Sequence, residues 1–339
     1  MTGRSDKGAL ETSIAALERL VARHIGSLLL EGGAGLHASA WDEGLVDLFG
    51  APRAALPEIV DCAGRFGETL PELLGAGVPI GGMAGDQQAA SIGQACLAPG
   101  DTKATYGTGA FVLSQTGAEA RASANRLLTT IAWQLGGERA YALEGSVFVA
   151  GSLIQWLRDS LGLIAASAET AAIAASVPDN GGVYLVPAHC GLGAPHWQPD
   201  ARGALSGLTF AAGKAHVVRA ALEAQAHQTH DLMAAFAADG AAWSGLRIDG
   251  GMSANQWMAQ DLADMLGLEV ERPAFVETTA LGAAMLAGVG CGLFGSLEDA
   301  AAMRGAVERF TPAMSADVRA ERLAGWQAAV DALLSSSRT

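Results

Sequence analysis

The stretch VPIGGMAGDQQAASIGQACLAPGDTKATYGTGAFVLSQ, residues 78–115, contains the pattern that decides the fold. An apolar run begins it, a glycine-rich turn follows, and the segment after Asp86 has the spacing of a helix. TKATYG and AFVLSQ then predict two strands joined by a tight turn at Gly107–Gly109. A strand, a turn and a helix followed by a hairpin are typical of a mixed α/β domain.

Strands and helices continue to alternate toward the carboxyl terminus. We expect a strand pair in LLTTIAWQL and AYALEG, and a buried strand in GGVYLVPA that leads into a long loop at 189–208. LRIDGG predicts another strand, which ends in a glycine pair. Apolar spacing predicts helices over Ser146–Leu161, His216–Ala238 and 253–267. The fold class is therefore α/β with a mixed sheet.

Three other segments also predict helices. Apolar residues fall on one face over 9–31, and EGLVDLFG (43–50) has the pattern of a short amphipathic helix. The uncharged stretch TTALGAAMLAGVGCGLFGSL, residues 278–297, is long enough to suggest a membrane span. It is rich in Gly and Ala and poor in large aliphatic residues, so we interpret it as a buried helix followed by a turn.

Composition excludes several classes of protein. A length of 339 residues corresponds to about two domains, and half of the residues are hydrophobic, which excludes general disorder. The formal charge of −14 argues against a nucleic-acid-binding surface, although backbone N–H groups can still bind a phosphate in an acidic protein. The widely spaced Cys62, Cys96, Cys190 and Cys291 predict reduced core residues, and the charged first residues do not resemble a signal peptide. We expect a cytoplasmic protein without a membrane partner.

Three glycine-rich segments lie at predicted strand ends: 82–88, 105–111 and 247–255. Glycines at such turns let a phosphate approach the backbone, and free N–H groups bind the anion. Each segment taken alone is better explained as an ordinary turn. Their recurrence in one chain makes a phosphate site a serious alternative.

Asp86 is the strongest single candidate for chemistry. A carboxylate between a glycine-rich turn and the amides of Gln87 and Gln88 could accept a proton from a substrate hydroxyl. The alternative is that Asp86 is a helix N-cap, a position that aspartate favours.

The histidines give weaker signals. His227 and His230 have the spacing of a metal pair, but we interpret them as helix-face residues because no third ligand is evident. His196 and Trp197 lie in a loop that either borders a ligand cleft or packs against it. The sequence contains neither a G-x-x-x-x-G-K-[ST] phosphate loop nor a G-x-S-x-G nucleophile elbow.

Seven segments, in this order, resemble the carbohydrate (FGGY) kinase family, and within it the glycerol kinases. The resemblance as a whole extends from about Trp41 to about Trp326. The segments are PIGGMAGDQQAASIGQ, KATYGTGAF, LLTTIAW, YALEGSVFVAGSLIQWLRD, GLGAPHWQPDARGALSGL, RIDGGMSANQWMAQDLAD and TALGAAMLAG.

The resemblance implies an actin-like ATPase (ribonuclease H-like) fold that uses ATP and Mg²⁺. It implies a C-terminal nucleotide-binding domain over 96–335, and a remnant of the N-terminal domain over 1–95 in which 1–40 is atypical. The implied reaction is phosphorylation of glycerol, or of a similar small polyol, to glycerol 3-phosphate, with ATP converted to ADP.

The resemblance also implies a role for each of eight residues. Asp86 matches the catalytic base, which touches the triol together with Gln87 and can reach Mg²⁺ through a water. Phe111 would lie against the carbon skeleton of the substrate. The residues that match nucleotide-binding positions are Thr108, Gly151, Gln155, Gly251 and Asn255.

The first residues depart from the family pattern. The segment before Asp86 contains no phosphate hairpin of the form D-x-G-T-x-S. An alternative function is therefore a catalytically impaired nucleotide-binding remnant or a regulatory protein, and a kinase for another small polyol or sugar is a second. Surface that would pack on the absent domain predicts association, and we expect a homo-oligomer.

Overall fold

The computed structural model describes residues 52–336 together with positions 46, 48 and 50. The strands are β1 (Ala63–Glu68), β2 (Pro79–Gly82), β3 (Thr102–Tyr106), β4 (Ala110–Gly117), β5 (Leu128–Leu135), β6 (Glu138–Val147), β7 (Tyr184–Val186), β8 (Ala204–Ser206), β9 (Leu246–Asp249), β10 (Val270–Pro273) and β11 (Val307–Phe310). The α-helices are α1 (Pro71–Leu74), α2 (Asp86–Gly93), α3 (Gly151–Asp159), α4 (Glu169–Ala175), α5 (Lys214–Ala238), α6 (Gln256–Leu266), α7 (Thr278–Gly290), α8 (Leu297–Ala300) and α9 (Ala316–Ser336). Short 3₁₀ turns lie at Arg53–Ala55, Gly251–Ala254 and Ala301–Arg304.

A seven-stranded mixed sheet forms the centre of the described part, in the order β11-β10-β9-β3-β4-β6-β5. β9 pairs parallel with both β3 and β10, whereas β6 lies between β4 and β5 and pairs antiparallel with both. The predicted α/β class with a mixed sheet is confirmed. Because β3 and β9 are parallel and adjacent, their carboxyl ends open at the same edge of the sheet, where ligands bind in open α/β sheets.

The register of the strands places two rows of mostly polar side chains next to each other on one face of this sheet. Asp249, Thr105, Phe111 and Ser146 lie opposite one another across β9, β3, β4 and β6. One step back along the strands, Lys103, Leu113 and Glu144 form the next row. Residues directly opposite one another project from the same face, so all of these side chains share a face.

Helix α2 covers that face. Gln115 Nε2 in β4 donates to Ser91 Oγ in the helix at 3.1 Å, and Gln88 Nε2 in the helix donates to Thr130 Oγ1 in β5 at 3.3 Å. Helix α7 packs on α2 in turn, at a crossing where glycines face backbone. A Cβ on Gly282 would lie 1.8 Å from the Ala89 carbonyl oxygen, so only glycine permits this approach.

The opposite face packs on the long helix α5. The Tyr106 hydroxyl in β3 lies 2.7 Å from Thr229 Oγ1 in that helix. Phe236 and Leu232 of α5 are fully buried against the sheet together with Leu143. Within residues 52–336, helices thus cover both faces of the central sheet, and its carboxyl edge at β3 and β9 is open to hold a site.

Most of the predicted elements are confirmed, and some bounds differ. The predicted strand–turn–helix unit appears as β2 and α2, and the hairpin around Gly107–Gly109 appears as β3 and β4. The strand pair β5–β6, the long helix α5 and the strand β9 are also present. The predicted strand at 181–188 is reduced to β7, and the loop at 189–208 contains the short strand β8, which pairs with it.

The helix predicted over Ser146–Leu161 is wrong at its start. Ser146 and Val147 pair with Phe111 and Ala110 as the end of β6, and the helix begins at Gly151. Cross-strand pairing competes with helical spacing here, and β6 continues its hydrogen bonds with β4 as far as the first residue of β4.

Some predictions fall outside the described residues. The helix predicted over 9–31 lies there, and within 43–50 only three positions are described, of which Val46 and Leu48 are helical. The domain boundary after residue 95 stays a prediction. The uncharged stretch forms the helix α7 and a following turn, as predicted. Among the described residues, no helix is both long and apolar enough to cross a membrane.

The four cysteines are free thiols, but they are not all core residues. Cys96 is buried and Cys62 is half-buried, as predicted, whereas Cys190 and Cys291 are exposed. The core assignment is therefore wrong for the last two, which lie in connecting segments where small residues need not be buried. Burial raises the pKa of the Cys96 thiol to about 12.

Candidate active site

The three glycine-rich segments come together around β3. Gln87, from the first segment, accepts a hydrogen bond from Lys103 of β3. Gly107, at the end of β3, accepts a hydrogen bond from the Gly151 N–H at 2.9 Å. A Cβ on Gly250, from the third segment, would lie 2.6 Å from the Tyr106 carbonyl oxygen, and its φ of +82° suits glycine. The recurrence noticed in the sequence is thus a spatial cluster.

Asp86 is exposed at the first position of α2, and its carboxylate is held by its neighbour. The Gln87 backbone N–H donates to Asp86 Oδ1 at 2.7 Å, and Gln87 Nε2 donates to Oδ2 at 3.3 Å. Gly85 occupies the N-cap, so the alternative that Asp86 is the N-cap is wrong. A carboxylate at a helix N-terminus is stabilised by the helix dipole and faces solvent, where it can meet a hydroxyl.

Lys103 lies directly beneath this pair and was missed by the sequence reasoning. Its side chain is fully buried, and its ammonium donates to Gln87 Oε1 and to Thr105 Oγ1, the latter at 2.9 Å. Burial lowers the pKa of Lys103, and the nearby carboxylates of Asp249, Glu144 and Asp86 oppose that shift. The available signal was a lysine inside a strand, two residues before Thr105 and on the same face.

Glu144 and Asp249 bring negative charge to either side of Lys103. Burial raises the pKa of Glu144, while Lys103 acts to lower it. Asp249 ends β9, is 1% exposed, and accepts hydrogen bonds from Thr278 Oγ1 at 2.7 Å and Gln94 Nε2 at 2.9 Å. These carboxylates explain how a lysine can be buried here, since buried charges need partners of opposite sign.

Phe111 offers an apolar surface beside this polar cluster. Its ring is 40% exposed although it lies in the central strand β4, directly opposite Thr105. An exposed aromatic ring on the same sheet face as these polar groups is suited to a small molecule that carries both carbon and hydroxyl groups.

The turn at Gly107–Gly109 and the start of α3 form one backbone unit. The Thr108 carbonyl oxygen accepts from the N–H groups of Ala150 at 2.9 Å and Ser152 at 3.1 Å. A Cβ on Gly151 would lie 2.5 Å from the Gly107 carbonyl oxygen, so this helix can begin here only with glycine. Thr108 itself is exposed, and so is Gln155 one helical turn into α3.

Gly251 and Asn255 stand on the adjoining β9 side. A Cβ built on Gly251 meets nothing within 4 Å, so the surface above it is open. Asn255 caps α6 by accepting from the Met258 N–H at 3.0 Å, and its Nδ2 donates to Thr170 Oγ1 at 3.0 Å. The Asn255 side chain thus supports the fold beneath the open surface at Gly251.

The histidines and Trp197 make internal contacts. His196 Nε2 lies 3.4 Å from Asp231 Oδ2, and Trp197 Nε1 donates to the Arg126 carbonyl oxygen at 2.7 Å. His227 is buried in α5 and stacks on Trp326 with ring centroids 5.1 Å apart. In the described part of the chain, no group of three or more His, Cys, Asp or Glu residues could hold a metal ion by itself.

The family of the chain is shown by comparison with known proteins. The model of the C-terminal domain of the FGGY family of carbohydrate kinases matches residues 102–291. The chain belongs to the FGGY family. The matched range of this FGGY chain includes Thr108, Phe111, Gly151 and Gly251, whereas Asp86 precedes it.

Curated relatives of this FGGY chain are glycerol kinases. The glycerol kinase of Rhodospirillum centenum is 55% identical over 295 residues, which are 87% of this chain and 59% of that protein. The glycerol kinase of Methylobacterium nodulans is 55% identical over 303 residues, which are 88% of this chain and 60% of that protein. The chain therefore spans about 60% of the length of the curated relatives it matches.

Solved structures agree on the fold. Plasmodium falciparum glycerol kinase with ADP superposes with a TM-score of 0.81 at 36% identity, over 87% of this FGGY chain and 60% of that one. Xylulose kinase from Rhodospirillum rubrum gives a TM-score of 0.75 at 26% identity, over 88% of this chain and 61% of that one. The described residues thus have the actin-like ATPase fold of the FGGY kinases.

Proposed function

We propose that this FGGY chain takes part in the ATP-dependent phosphorylation of glycerol to glycerol 3-phosphate. The observation that carries the proposal is the position of Asp86. Its exposed carboxylate is bound on both oxygens by Gln87, and Gln87 contacts β3, the strand whose carboxyl end carries the two glycine-rich turns around Gly107 and Gly250. The 55% identity to glycerol kinases supports glycerol as the substrate.

The polyol side of the site consists of Asp86, Gln87 and Phe111. Asp86 accepts the proton of the attacking hydroxyl as that oxygen bonds to the γ-phosphorus, and the bond from phosphorus to the ADP oxygen breaks. Gln87 adds amide hydrogen-bonding groups for a neighbouring hydroxyl. The exposed Phe111 ring covers the carbon chain. A positioned base of this kind contributes about 10²–10⁴-fold to the rate.

The nucleotide side consists of exposed backbone and small residues. Thr108 at its turn meets the phosphates, Gly151 and Gln155 at the start of α3 lie along the nucleotide, and Gly251 with Asn255 borders the adenosine. The open space above Gly251 supports this assignment, because a flat ligand can approach the backbone there without meeting a side chain.

The residues also fit a magnesium ion that arrives with the nucleotide. Mg²⁺ binds through one or two carboxylates, waters and substrate phosphates rather than a full protein cage, and Asp86 supplies one exposed carboxylate. Asp86 would hold the ion through a bound water. When bound, Mg²⁺ neutralises the charge that develops on the transferred phosphoryl group.

The direct test is phosphorylation of glycerol by the purified chain, with ADP release followed in a coupled assay. Asp86→Asn keeps the shape of the side chain but cannot take a proton, and we expect the rate to fall by about 10²–10⁴-fold. Asp317→Asn is the matched control, since Asp317 is also a first-turn aspartate but lies in α9. Its rate should equal that of the unchanged protein.

Two outcomes would contradict the proposal. An Asp86→Asn variant with full activity would remove Asp86 from the reaction. A folded chain that binds ADP but phosphorylates neither glycerol nor related polyols would instead be a nucleotide-binding protein without catalysis. Titration with ADP, followed by calorimetry, distinguishes the second outcome from a failure to bind any substrate.

The compartment and the assembly of the protein follow from the same reaction and surface. We place the reaction in the cytoplasm, where ATP is available and the four free thiols stay reduced. We also propose that the chain forms a homo-oligomer, supported by the exposed apolar side chains around α1, among them Leu70, Leu73 and Leu74.

A further inference from the structure

Lys103 is a fully buried cation that touches the candidate active site from below. On the sheet face, Leu113 of β4 and Arg247 of β9 lie directly opposite Lys103. Thr105 follows on its own strand, Glu144 lies beyond Leu113 in the same row, and Asp249 lies in the next row. The ammonium donates to Thr105 Oγ1 and to Gln87 Oε1. None of the roles proposed above uses this residue, although it contacts one of the substrate-binding candidates directly.

The contact to Lys103 determines which way the Gln87 amide points. An ammonium group has three donors and no acceptor, so the amide atom that faces it must be the oxygen. The Gln87 nitrogen is then on the other side of the amide, where it lies 3.3 Å from Asp86 Oδ2. Without the lysine, both orientations of the amide would be open, and the oxygen could turn toward the carboxylate.

The orientation of Gln87 fixes Asp86 in turn. Asp86 Oδ2 accepts from the oriented amide, and Oδ1 accepts from the Gln87 backbone N–H at 2.7 Å. Two donors on one carboxylate define its plane. The second N–H of the Gln87 amide stays available for a hydroxyl, so the donor–acceptor pattern offered to a polyol depends on the lysine.

We propose that Lys103 is a positioning residue of the polyol site, which orients the Gln87 amide and through it the Asp86 carboxylate. The inference rests on the proposed function for the identity of the polyol. Lys103 does not touch the substrate, and its effect passes through Gln87. This positioning effect does not reach the nucleotide-binding residues, because the surface at Gly251 and the start of α3 make no contact with the ammonium.

The first variant is Lys103→Met, which keeps the length of the side chain and removes the donors. We expect the affinity for glycerol, and the KM where turnover is measured, to weaken by about 10–100-fold, as for loss of a hydrogen bond to a charged group. The affinity for ADP should stay within about twofold, because its site is separate. Lys214→Met is the control, since Lys214 is an exposed lysine at the start of α5.

A second variant provides an independent test if Lys103→Met does not fold. Thr105→Val removes one acceptor of the ammonium with a side chain of the same shape, and valine suits a strand. It leaves Gln87 and Asp86 unchanged in sequence. We expect a smaller loss of glycerol affinity, about 3–10-fold, with ADP binding again unaffected.

A spectroscopic readout separates this inference from the proposed function. The side-chain amide resonances of Gln87, assigned by their loss in Gln87→Leu, should move toward those of a free amide in Lys103→Met and stay unchanged in Lys214→Met. This result supports the positioning role even if the chain binds no glycerol. Unchanged Gln87 resonances in both Lys103→Met and Thr105→Val would overturn it, and so would equal losses of glycerol and ADP affinity, which indicate a general structural role.

Discussion

Single buried polar residues join the elements beneath the site. Asp249 is the best example, since its carboxylate at the end of β9 accepts from Thr278 at the start of α7 and from Gln94 just after α2. One side chain therefore connects three elements that carry or support site residues. A buried carboxylate with two donors is stable in place, and loss of either donor would leave part of its charge unpaired.

His227 gives a prediction about pH. It is buried in α5 and stacked on Trp326, and burial, with smaller contributions from Arg322 and His230, holds its pKa well below the usual range. The unfolded chain takes up a proton below about pH 6.5 while the folded chain does not, so stability should fall as pH falls through that range. His227→Phe keeps a stacked ring and cannot titrate.

The measurement is urea unfolding of both proteins between about pH 7.5 and about pH 5.5. The unchanged protein should lose up to about 1.4 kcal/mol more stability per pH unit than His227→Phe on the acidic side. Between pH 7.5 and pH 8.5, about one unit above the histidine range, the two curves should run parallel and serve as the control. Parallel curves on the acidic side as well would show that His227 is not buried neutral.

The sequence indicated the exposed residues of the site better than the buried ones. Asp86 and Gln87 stand out because a carboxylate and two amides follow a glycine-rich turn, which is a local pattern. Lys103 and Asp249 act through partners about 16 and 155 residues away in sequence, at Gln87 and Gln94. Burial and long-range pairing of this kind have no local pattern, so sequence reasoning passed over them.

At the scale of elements, the crossing of α2 and α7 sets the height of Asp86 above the sheet. Gly93 and Gly282 face one another there, and a Cβ on Gly93 would lie 2.0 Å from the Thr278 carbonyl oxygen. Neither helix can accept a side chain at this point without moving apart. Because Asp86 begins α2, a shift of the crossing would move the candidate base.

Gly282→Ala tests the crossing. The added methyl would lie 1.8 Å from the Ala89 carbonyl oxygen, so we expect a loss of about 1–3 kcal/mol in the free energy of unfolding, although alanine is the better helix former. Urea unfolding measures the loss. Ala284→Ser, on the exposed side of the same helix, is the control and should change stability by less than about 0.5 kcal/mol. A Gly282→Ala variant as stable as the unchanged protein would mean that the helices are not in close contact.

Elements were predicted correctly where the sequence has a single hydrophobic periodicity. They were predicted poorly where helical spacing overlaps residues that pair in a strand. α2, α5 and the hairpin β3–β4 each have a single clear pattern bounded by glycine turns, and they appear as expected. The segment after Ser146 carries helical spacing, yet its first two residues complete the ladder of β6 with β4. The partner strand decides such a boundary, and it lies about 35 residues away in sequence.

At the scale of the whole molecule, one surface exposes a group of adjacent large apolar side chains. The apolar face of α1 and β2, formed by Leu70, Leu73, Leu74, Val78 and Ile80, has exposed fractions from 42% to 71%. Adjacent exposed apolar side chains of this size are typical of surfaces that bind another protein. This part of the fold is also built on only two paired strands, β1 and β2, which form a separate small sheet.

We expect this face to drive association of the chain with itself. A self-complementary apolar face gives a closed dimer when two copies meet about a twofold axis, which is the commonest symmetry of soluble oligomers. The double variant Leu73→Glu and Leu74→Glu places charge on the face without touching the sheet, so it should shift the chain toward monomer. Sedimentation velocity over a wide range of protein concentration measures the change. Leu208→Glu, at a leucine of similar exposure in the loop after β8, should sediment as the unchanged protein does. An unchanged chain that is a monomer at every concentration would show that this face does not join two copies. A double variant that associates as strongly as the unchanged chain would show the same.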